Sequence, residues 1–336
     1  MLTHGTESTL PAMSAASSSK SRVFIDGHAG TTGLRIRDWL ADRDDLELLT
    51  IDEDRRKDPE ARKECLLAAD VAVLCLPDAA SADAAAWLEG SDTRILDAST
   101  AFRVADDWVY GLPELGAEQR EAISNAKTVS NPGCYPSAVV IALRPLVDAG
   151  LVPSDVPLTV HALSGYSGGG RQKIEHWEDP GSGLVGLPFE APYALAARHK
   201  HMPEMQRYAG LDHEPQFVPA VGPFYSGMRV EIPLHVAALP QGASAKAAWE
   251  VLGERYAGER FVRIRPLREA PPHDELALDP RSCNETNRIE IEVIGHETGH
   301  LLLVALLDNL GKGAAGVAIQ NLNRMLGLDE GTGLPA

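Results

Sequence analysis

The stretch RVFIDGHAGTTGLRIRDWL, residues 22–40, decides the fold. Arg22–Asp26 is a short strand-like run, and the residues after the turn carry apolar side chains at helical spacing. The turn between them contains three glycines: Gly27, Gly30 and Gly33. Glycines at such a turn let the backbone approach a pyrophosphate, and the helix N-terminus attracts an anion. The spacing is GxxGxxG and not GxGxxG, so a glycine-rich turn without a ligand is the alternative.

Strand-like segments then alternate with helix-like segments. The strand-like segments are Leu46–Ile51, the continuously apolar Val71–Leu76, and Arg94–Ala98. A continuous apolar run is typical of a strand that is buried on both faces of a parallel sheet. The alternation predicts a doubly wound α/β domain with a parallel sheet.

The pattern changes after about residue 134, where segments alternate apolar and polar residues. These segments are Leu158–Leu163, Met228–His235, Phe261–Arg265 and Arg288–Ile294. Such alternation indicates half-solvated strands of a mixed or antiparallel sheet. The predicted fold class is therefore α/β plus α+β, and a helix is predicted near the C-terminus over Gly313–Leu326.

Composition excludes several classes of protein. The 336 residues carry a formal net charge of −17, which argues against a general nucleic-acid or anionic-membrane binder. The longest apolar runs, Leu301–Leu307 and the region around Val139–Val147, fall well short of the roughly 18 residues of a membrane span. The four cysteines have neither disulfide-framework nor metal-ligand spacing, which favours a reducing, cytoplasmic compartment. Residues 1–20 are rich in Ser, Thr and Ala and are expected to form a disordered leader.

The end of the second strand is where NAD and NADP are usually distinguished. An acidic residue there binds the ribose 2′-hydroxyl, whereas a nearby arginine accepts a 2′-phosphate. This chain offers Asp52 for the first role and Arg55 and Arg56 for the second. The residues alone leave the choice open, and a solvated charged loop is the alternative.

The strongest local motif is SNPGCYPSA, residues 130–138. Cys134 stands in a Pro/Gly turn just before an apolar helix predicted from about Ser137. Backbone N–H groups at a helix start stabilise a thiolate and lower the pKa of the thiol, which makes a nucleophile. The other three cysteines are predicted to be small apolar residues.

The segment HKHMPE, residues 199–204, offers an acid/base partner for such a thiol. His199 and His201 would both face the site if they alternated along an extended strand. Two metal ligands are the alternative, but no third ligand with suitable spacing is evident, so no metal is predicted.

Two loops could hold an anion. SGYSGGGR, residues 164–171, offers backbone N–H groups and ends in a cation, with Lys173 nearby. Ser99 and Arg103 follow a strand, where side chains of a doubly wound sheet line the ligand crevice. A flexible hairpin and a solvated loop are the respective alternatives.

Together these motifs resemble N-acetyl-gamma-glutamyl-phosphate reductases of the shorter type. The resemblance also includes YGLPEL (110–115) and NLGKGAAGVAIQNLN (309–323), and it extends from residue 22 to near the C-terminus. His28 stands where that type is expected to carry an acidic residue. The resemblance implies a Rossmann-like dinucleotide-binding domain over 21–133 and 309–336, closed by the C-terminal helix. It implies a catalytic and dimerisation domain over 134–308, and a homodimer or homotetramer.

The resemblance also implies a reaction, in which NADPH reduces an acyl phosphate, N-acetyl-L-glutamyl 5-phosphate, to the 5-semialdehyde through a cysteine thioester. Cys134 would be the nucleophile, with His199, and second His201, as acid/base. Substrate contacts are expected from Arg103, Ser99, Arg171, Glu204, Ser164 and Gly165. Cofactor contacts are expected from Gly27, Gly30, Thr31, Thr32, Gly33, Arg55, Asn309 and Gly313.

Two other interpretations remain open. An aspartate-semialdehyde dehydrogenase, or a lysine- or ornithine-branch acyl-phosphate reductase, would share the cysteine and the nucleotide fold. A non-catalytic nucleotide-binding redox sensor would keep the glycine-rich turn but would need neither Cys134 nor a nearby histidine.

Overall fold

The computed structural model describes residues 20–269 and 277–336. The predicted leader therefore lies, apart from Lys20, outside the described residues. Within them, two sheets and their helices form the chain. No helix in these two ranges has the length and apolar character needed to cross a membrane.

The first sheet is parallel and has the strand order β2–β1–β3–β4–β6–β5. Its strands and the helices between them are β1 (Ser21–Asp26), α1 (Thr31–Leu40), β2 (Leu46–Leu49), α2 (Pro59–Ala68), β3 (Val71–Leu74), α3 (Asp78–Trp87), β4 (Arg94–Asp97), β5 (Val109–Tyr110), α4 (Ala117–Asn125) and β6 (Thr128–Ser130). The chain leaves β1 toward β2 on one side and returns to β3 on the other. In doubly wound sheets a ligand crevice lies at this switch point, beyond the carboxyl ends of the strands.

The second sheet is mixed, with the order β11–β13–β14–β10–β7–β9–β8 and β12 paired to β13. Its elements are α5 (Cys134–Asp148), β7 (Thr159–Gly165), α6 (Arg171–Glu178), β8 (Ala191–Pro192), α7 (Met202–Ala209), β9 (Gln216–Gly222), β10 (Met228–Leu234), α8 (Ala245–Arg255), β11 (Val262–Ile264), β12 (Arg268–Glu269), β13 (Ile289–Gly295) and β14 (Leu301–Leu307). The predicted fold class, a parallel doubly wound sheet with a second mixed sheet, is confirmed.

The apolar run Leu301–Leu307 is β14, which pairs antiparallel with both β10 and β13. It is mostly buried, which explains its continuous apolar character. Helix α5 packs against this sheet in one apolar core, and it begins at Cys134 itself, three residues earlier than the sequence predicts.

The C-terminal helix differs from its prediction. The chain first forms a π-helical turn, Gly311–Ala315, and then α9 (Gly316–Met325). Helix α9 packs its apolar side chains, including Ile319 and Leu322, into the core of the first sheet. The predicted domain boundaries at 133 and 309 stay a prediction.

Candidate active site

The main cavity, of about 530 Å³, lies where the two sheets meet. It is lined by residues from the glycine-rich turn, the start of α5, the loop after β7, and the histidine segment. Among the residues predicted for the site, those that line it are Gly30, Thr31, Thr32, Arg103, Cys134, Ser164, Gly165, Arg171, His199, His201, Asn309 and Gly313. The fold thus brings together motifs that lie up to 283 positions apart in the chain.

The cavity is cationic although the chain as a whole is acidic. Of the described residues, Arg103, Arg171, Lys173 and Lys200 line it, and no carboxylate does. A local excess of positive charge in a concave site raises the concentration of anions there. The cavity is therefore suited to a small anionic ligand.

Cys134 is the first residue of α5, after Gly133 in an extended conformation. The thiol is reachable from the cavity, but protein atoms surround it, and this burial raises its pKa to about 11. The positive charge of Arg103 and the backbone N–H groups of residues 134 and 135 act in the opposite direction. The sequence predicted a lowered pKa because the helix start was expected to dominate, and this prediction is wrong for the chain alone.

The two histidines lie in a turn before α7 and not on a strand, so the predicted alternation is wrong. The chain turns at His201, which has helical backbone angles, and both rings nevertheless face the cavity, with centroids 4.8 Å apart. Burial lowers the pKa of His199 to about 4 and the pKa of His201 well below its usual value. Both imidazoles are therefore neutral near pH 7.

Hydrogen bonds fix the tautomer of each ring. His201 Nε2 lies 3.1 Å from Arg103, which can only donate, so the His201 proton is on Nδ1. His199 Nδ1 accepts from the His201 backbone N–H at 3.2 Å, so the His199 proton is on Nε2. The Tyr193 hydroxyl lies 3.4 Å from this Nε2 and donates to the Tyr135 hydroxyl.

Glu204 is buried beneath the cavity and joins the parts of the site. Its Oε1 accepts hydrogen bonds from the Gly133 N–H and the Tyr110 hydroxyl, both at 2.8 Å. Its Oε2 pairs with Arg103 at 3.4 Å. Glu204 thereby ties the turn before Cys134 to the guanidinium of Arg103, which also donates to the Ala98 carbonyl.

Gly133 must be a glycine because the site packs against it. A Cβ at this position would lie 2.6 Å from Arg103 Nη1 and 2.7 Å from His201 Nε2. Any larger residue would displace the groups that surround Cys134. The glycine before Cys134 in the SNPGCYPSA motif is thus required by packing as well as by chemistry.

The glycine-rich turn fits a dinucleotide. Gly27 has a φ of +88°, and a Cβ there would lie 2.3 Å from the Cys75 carbonyl oxygen at the end of β3. A Cβ at Gly33 would lie 2.5 Å from the Gly27 carbonyl oxygen, so Gly33 lets α1 pack against the turn. Thr31 and Thr32 open α1 at the cavity wall. Backbone N–H groups at this helix start are available to a pyrophosphate.

A second cavity, of about 230 Å³, continues from the glycine-rich turn and is lined by Gly27, His28, Arg56, Lys57 and Arg62. Arg62 pairs at 2.8 Å with the buried carboxylate of Asp26, whereas the carboxylate that Arg56 meets, that of Glu53, is exposed. Arg56 and Lys57 are therefore the more available cations for a phosphate. The predicted Arg55 lies outside the residues lining this cavity and pairs with Asp58 at 3.2 Å. Arg56 also contacts Glu53, at 2.9 Å.

Comparison with known proteins shows the family. Residues 49–126 match the semialdehyde dehydrogenase NAD binding domain, and residues 134–309 match the semialdehyde dehydrogenase dimerisation domain. The chain is 46% identical over 320 residues to "N-acetyl-gamma-glutamyl-phosphate reductase 2" of Nostoc sp., covering 94% of this chain and 99% of that protein. It is 47% identical over 310 residues to the reductase of the same name from Brucella ovis, covering 92% and 99%.

The chain belongs to the N-acetyl-gamma-glutamyl-phosphate reductase family. The resemblance inferred from the motifs is confirmed. The fold is shared more widely: aspartate semialdehyde dehydrogenase II from Vibrio cholerae, complexed with ASA, superposes with a TM-score of 0.70 at 17% identity, covering 92% of this chain and 99% of that one. The Candida albicans aspartate semialdehyde dehydrogenase with NADP gives 0.61 at 15% identity, with the same coverage.

Within this reductase fold, the remaining predicted residues have different placements. Ser99 does not line the cavity and instead donates to Asp97 at 2.6 Å. Arg171 lines the cavity and donates to the Ala29 carbonyl of the glycine-rich turn. Asn309 accepts from the Gly227 N–H at 2.8 Å and donates to Ser167 at 3.0 Å, so it fixes the loop after β7.

The residues of the site that sequence reasoning missed include Asn131, Tyr135, Tyr193 and Lys200. The first two lie inside the SNPGCYPSA motif, and Lys200 lies inside HKHMPE, so their position in the motifs was a usable signal. Tyr193 had no sequence signal, because it reaches the cavity only through the path of the chain after β8.

Proposed function

We propose that this chain reduces N-acetyl-L-glutamyl 5-phosphate with NADPH, giving N-acetyl-L-glutamate 5-semialdehyde and phosphate in arginine biosynthesis. One observation carries the proposal: a cysteine at a helix start, two neutral histidines and a glycine-rich dinucleotide turn line one cationic cavity. The family relatives support the choice of substrate.

The first step forms a thioester on Cys134. The sulfur attacks the acyl carbon, and the C–O bond to phosphate breaks. Because the thiol has a pKa of about 11, its proton must leave as the C–S bond forms. That proton passes directly to an oxygen of the departing phosphate, because the unprotonated nitrogen of each imidazole already accepts a hydrogen bond. Arg103 is proposed to hold the phosphate, since its Nε has no hydrogen-bond partner among the described residues.

The geometry favours His199 over His201 as the acid/base. His201 is buried and its Nε2 is bonded to Arg103. His199 is only half-buried and its Nε2 carries a proton that can be donated to the reacting oxygen. After the thioester is reduced, this N–H stabilises the oxyanion of the thiohemiacetal. The C–S bond then breaks, the aldehyde leaves, and the Cys134 sulfur takes a proton from water, which restores the neutral thiol.

When bound, NADPH supplies the hydride that reduces the thioester. Gly27, Gly30 and Gly33, with Thr31 and Thr32, would hold its pyrophosphate. Arg56 and Lys57 would hold its 2′-phosphate, in place of the predicted Arg55. Gly313 and Asn309 would form the wall beside its reactive ring, because a glycine permits close approach.

The proposal extends to assembly and location. A match to a dimerisation domain supports an oligomer, which we propose to be a homodimer or homotetramer. All four cysteines are free thiols, which supports a reducing, cytoplasmic location.

The reverse reaction tests the function. N-acetylglutamate semialdehyde, phosphate and NADP⁺ or NAD⁺ are mixed, and the reduced nicotinamide is followed by absorbance. We expect phosphate-dependent turnover with NADP⁺ in the wild type and in Cys65→Ser, and none in Cys134→Ser. Cys65 is a matched control because it is a free thiol in α2, away from the cavity. Turnover only on aspartate semialdehyde would replace the proposed substrate, and no turnover with any semialdehyde would favour a nucleotide sensor.

A further inference from the structure

A fully buried lysine lies beside the active site and takes no part in the chemistry above. Lys312 has no solvent exposure, and it lies in the π-helical turn Gly311–Ala315 between β14 and α9. The next two residues in the chain, Gly313 and Ala314, line the main cavity. Lys312 itself does not line the cavity.

Lys312 is the centre of a buried polar network. Its Nζ donates to Glu114 Oε1 and to Gln320 Oε1, both at 2.7 Å. Gln320 Nε2 also donates to Glu114 Oε1 at 2.9 Å, and Asn287 Nδ2 donates to Gln320 Oε1 at 3.0 Å. Burial alone would raise the pKa of Glu114, but the charge of Lys312 and these hydrogen bonds outweigh it and lower the pKa. The Glu114 carboxylate therefore faces Lys312 as a charged partner at neutral pH.

The turn itself is held in a wide form. Gly313 N–H bonds to the Asp308 carbonyl at 2.9 Å, and Ala315 N–H bonds to the Leu310 carbonyl at 3.0 Å. Both bonds span five residues, whereas an α-helix spans four, so one extra residue is accommodated. The extra residue brings Gly313 against the nucleophile: a Cβ there would lie 2.7 Å from Cys134 Cβ.

A buried ion pair is an expensive way to stabilise a fold. Two well-packed neutral side chains of similar volume are often as stable or more stable, because no charge has to leave water. Stability alone therefore does not explain this pair. Its location suggests a reason, since Lys312 belongs to the π-helical turn and Glu114 belongs to the short 3₁₀ turn Pro113–Leu115 that follows β5.

We propose that Lys312 and Glu114 are a positioning pair, which holds the π-helical turn in its wide form and so keeps Gly313 and Ala314 against Cys134. Without the pair, the turn can relax toward α-helical geometry. A relaxed turn no longer accommodates the extra residue, so its residues rotate about the helix axis. Gly313 and Ala314, which form the cavity wall, then move away from the Cys134 sulfur. The expected effect of the pair on turnover rests on the proposed function, whereas its effect on the position of Gly313 and Ala314 does not.

The test uses Lys312→Met and the double variant Lys312→Met/Glu114→Gln in the full chain. The single variant leaves Glu114 buried without its cation and is expected to lower the melting temperature. The double variant removes both charges together but keeps an acceptor for Gln320, so its melting temperature is expected to recover toward the wild type. Arg43→Met is the matched control, because Arg43 is a mostly buried cation paired with Asp45 at 2.6 Å and does not line the main cavity.

Two readouts then separate positioning from stability. A displacement of about 1 Å at reacting groups can lower a rate by about 100-fold, so we expect kcat of the double variant to fall by about 10- to 100-fold with little change in KM for the acyl phosphate. The second-order rate of Cys134 alkylation by iodoacetamide, located by peptide mass spectrometry, is expected to rise because the wall beside the sulfur has moved. Arg43→Met is expected to lose stability and to change neither readout.

Several results would overturn the proposal. A double variant with wild-type kcat and wild-type alkylation would show that the pair does not position the wall, and a double variant that fails to fold would show that the pair serves stability. Alkylation requires neither substrate nor cofactor. A wild type without turnover would therefore refute the proposed function, while the alkylation rates would still decide the role of the pair.

Discussion

The alkylation of Cys134 by iodoacetamide is expected to be slow at neutral pH and to rise about tenfold for each pH unit up to pH 10. Only the thiolate reacts, and the pKa of about 11 leaves about one thiolate in 10⁴ at pH 7. The direction follows from the sign of the shift: burial raises the pKa, so the reactive form is depleted below pH 11 and gained above it. Arg103→Met should move the curve to still higher pH, because the Arg103 charge lowers the pKa of this thiol.

The assay measures modified peptides by mass spectrometry at pH values from 6 to 10, with the wild type and Arg103→Met side by side. Cys65 serves as an internal reference, since it is a part-exposed thiol in the same digest. A rate at Cys134 that reaches a plateau below pH 8 would refute the reasoning. It would show that the helix start and the charge of Arg103 lower the pKa of the Cys134 thiol more than burial raises it. The thiolate would then be present near neutral pH.

Three further variants test other contacts. Glu204→Gln leaves Arg103 without its charge partner in a buried site; we expect a loss of about 3–5 kcal/mol, read by chemical unfolding, with lower kcat/KM. Gly313→Ala places a methyl group within 2.7 Å of Cys134 Cβ; we expect a loss of about 1–3 kcal/mol and a lower kcat, and an unchanged kcat would contradict the close wall. Arg56→Gln should weaken NADP⁺ binding by about 10- to 100-fold and NAD⁺ binding little, measured by calorimetry, with Arg55→Gln as the unaffected control.

Much of the fold could be predicted from periodicity. Val71–Leu76 was predicted as a strand because it is continuously apolar, and β3 is buried along its whole length. The equally apolar Leu301–Leu307 was harder to interpret, since a short apolar run does not distinguish a central strand from a buried helix segment. The π-helical turn Gly311–Ala315 could not be predicted at all, because the same residues are compatible with an α-helix until the contacts with Cys134 and Glu114 are known.

Most residues of the site could be predicted from the sequence, but their arrangement in space could not. HKHMPE was identified as a source of acid/base groups, yet the strand assumed for it does not form, because Pro203 stands at the start of α7 and the chain has already turned at His201. Which histidine can act depends on Arg103, a residue 98 positions away that engages His201 Nε2. A hydrogen bond between residues this far apart in the chain cannot be predicted from the sequence around either residue. The same holds for the choice of Arg56 over Arg55, which depends on which side of the loop faces the cavity.

The charges of the groups in the cavity explain why local cations matter more for substrate entry than the net charge of the whole chain. The thiol and both imidazoles are neutral near pH 7, so the chain offers the substrate no stored anion to repel its phosphate. Arg103 is partly neutralised by Glu204, whereas Lys173 and Lys200 line the cavity together with no carboxylate from the described residues. An acyl phosphate that also carries a carboxylate can therefore enter a cationic cavity in a chain of net charge −17. The phosphate that leaves can carry the thiol proton with it, so that acylation requires no charged base in the free protein.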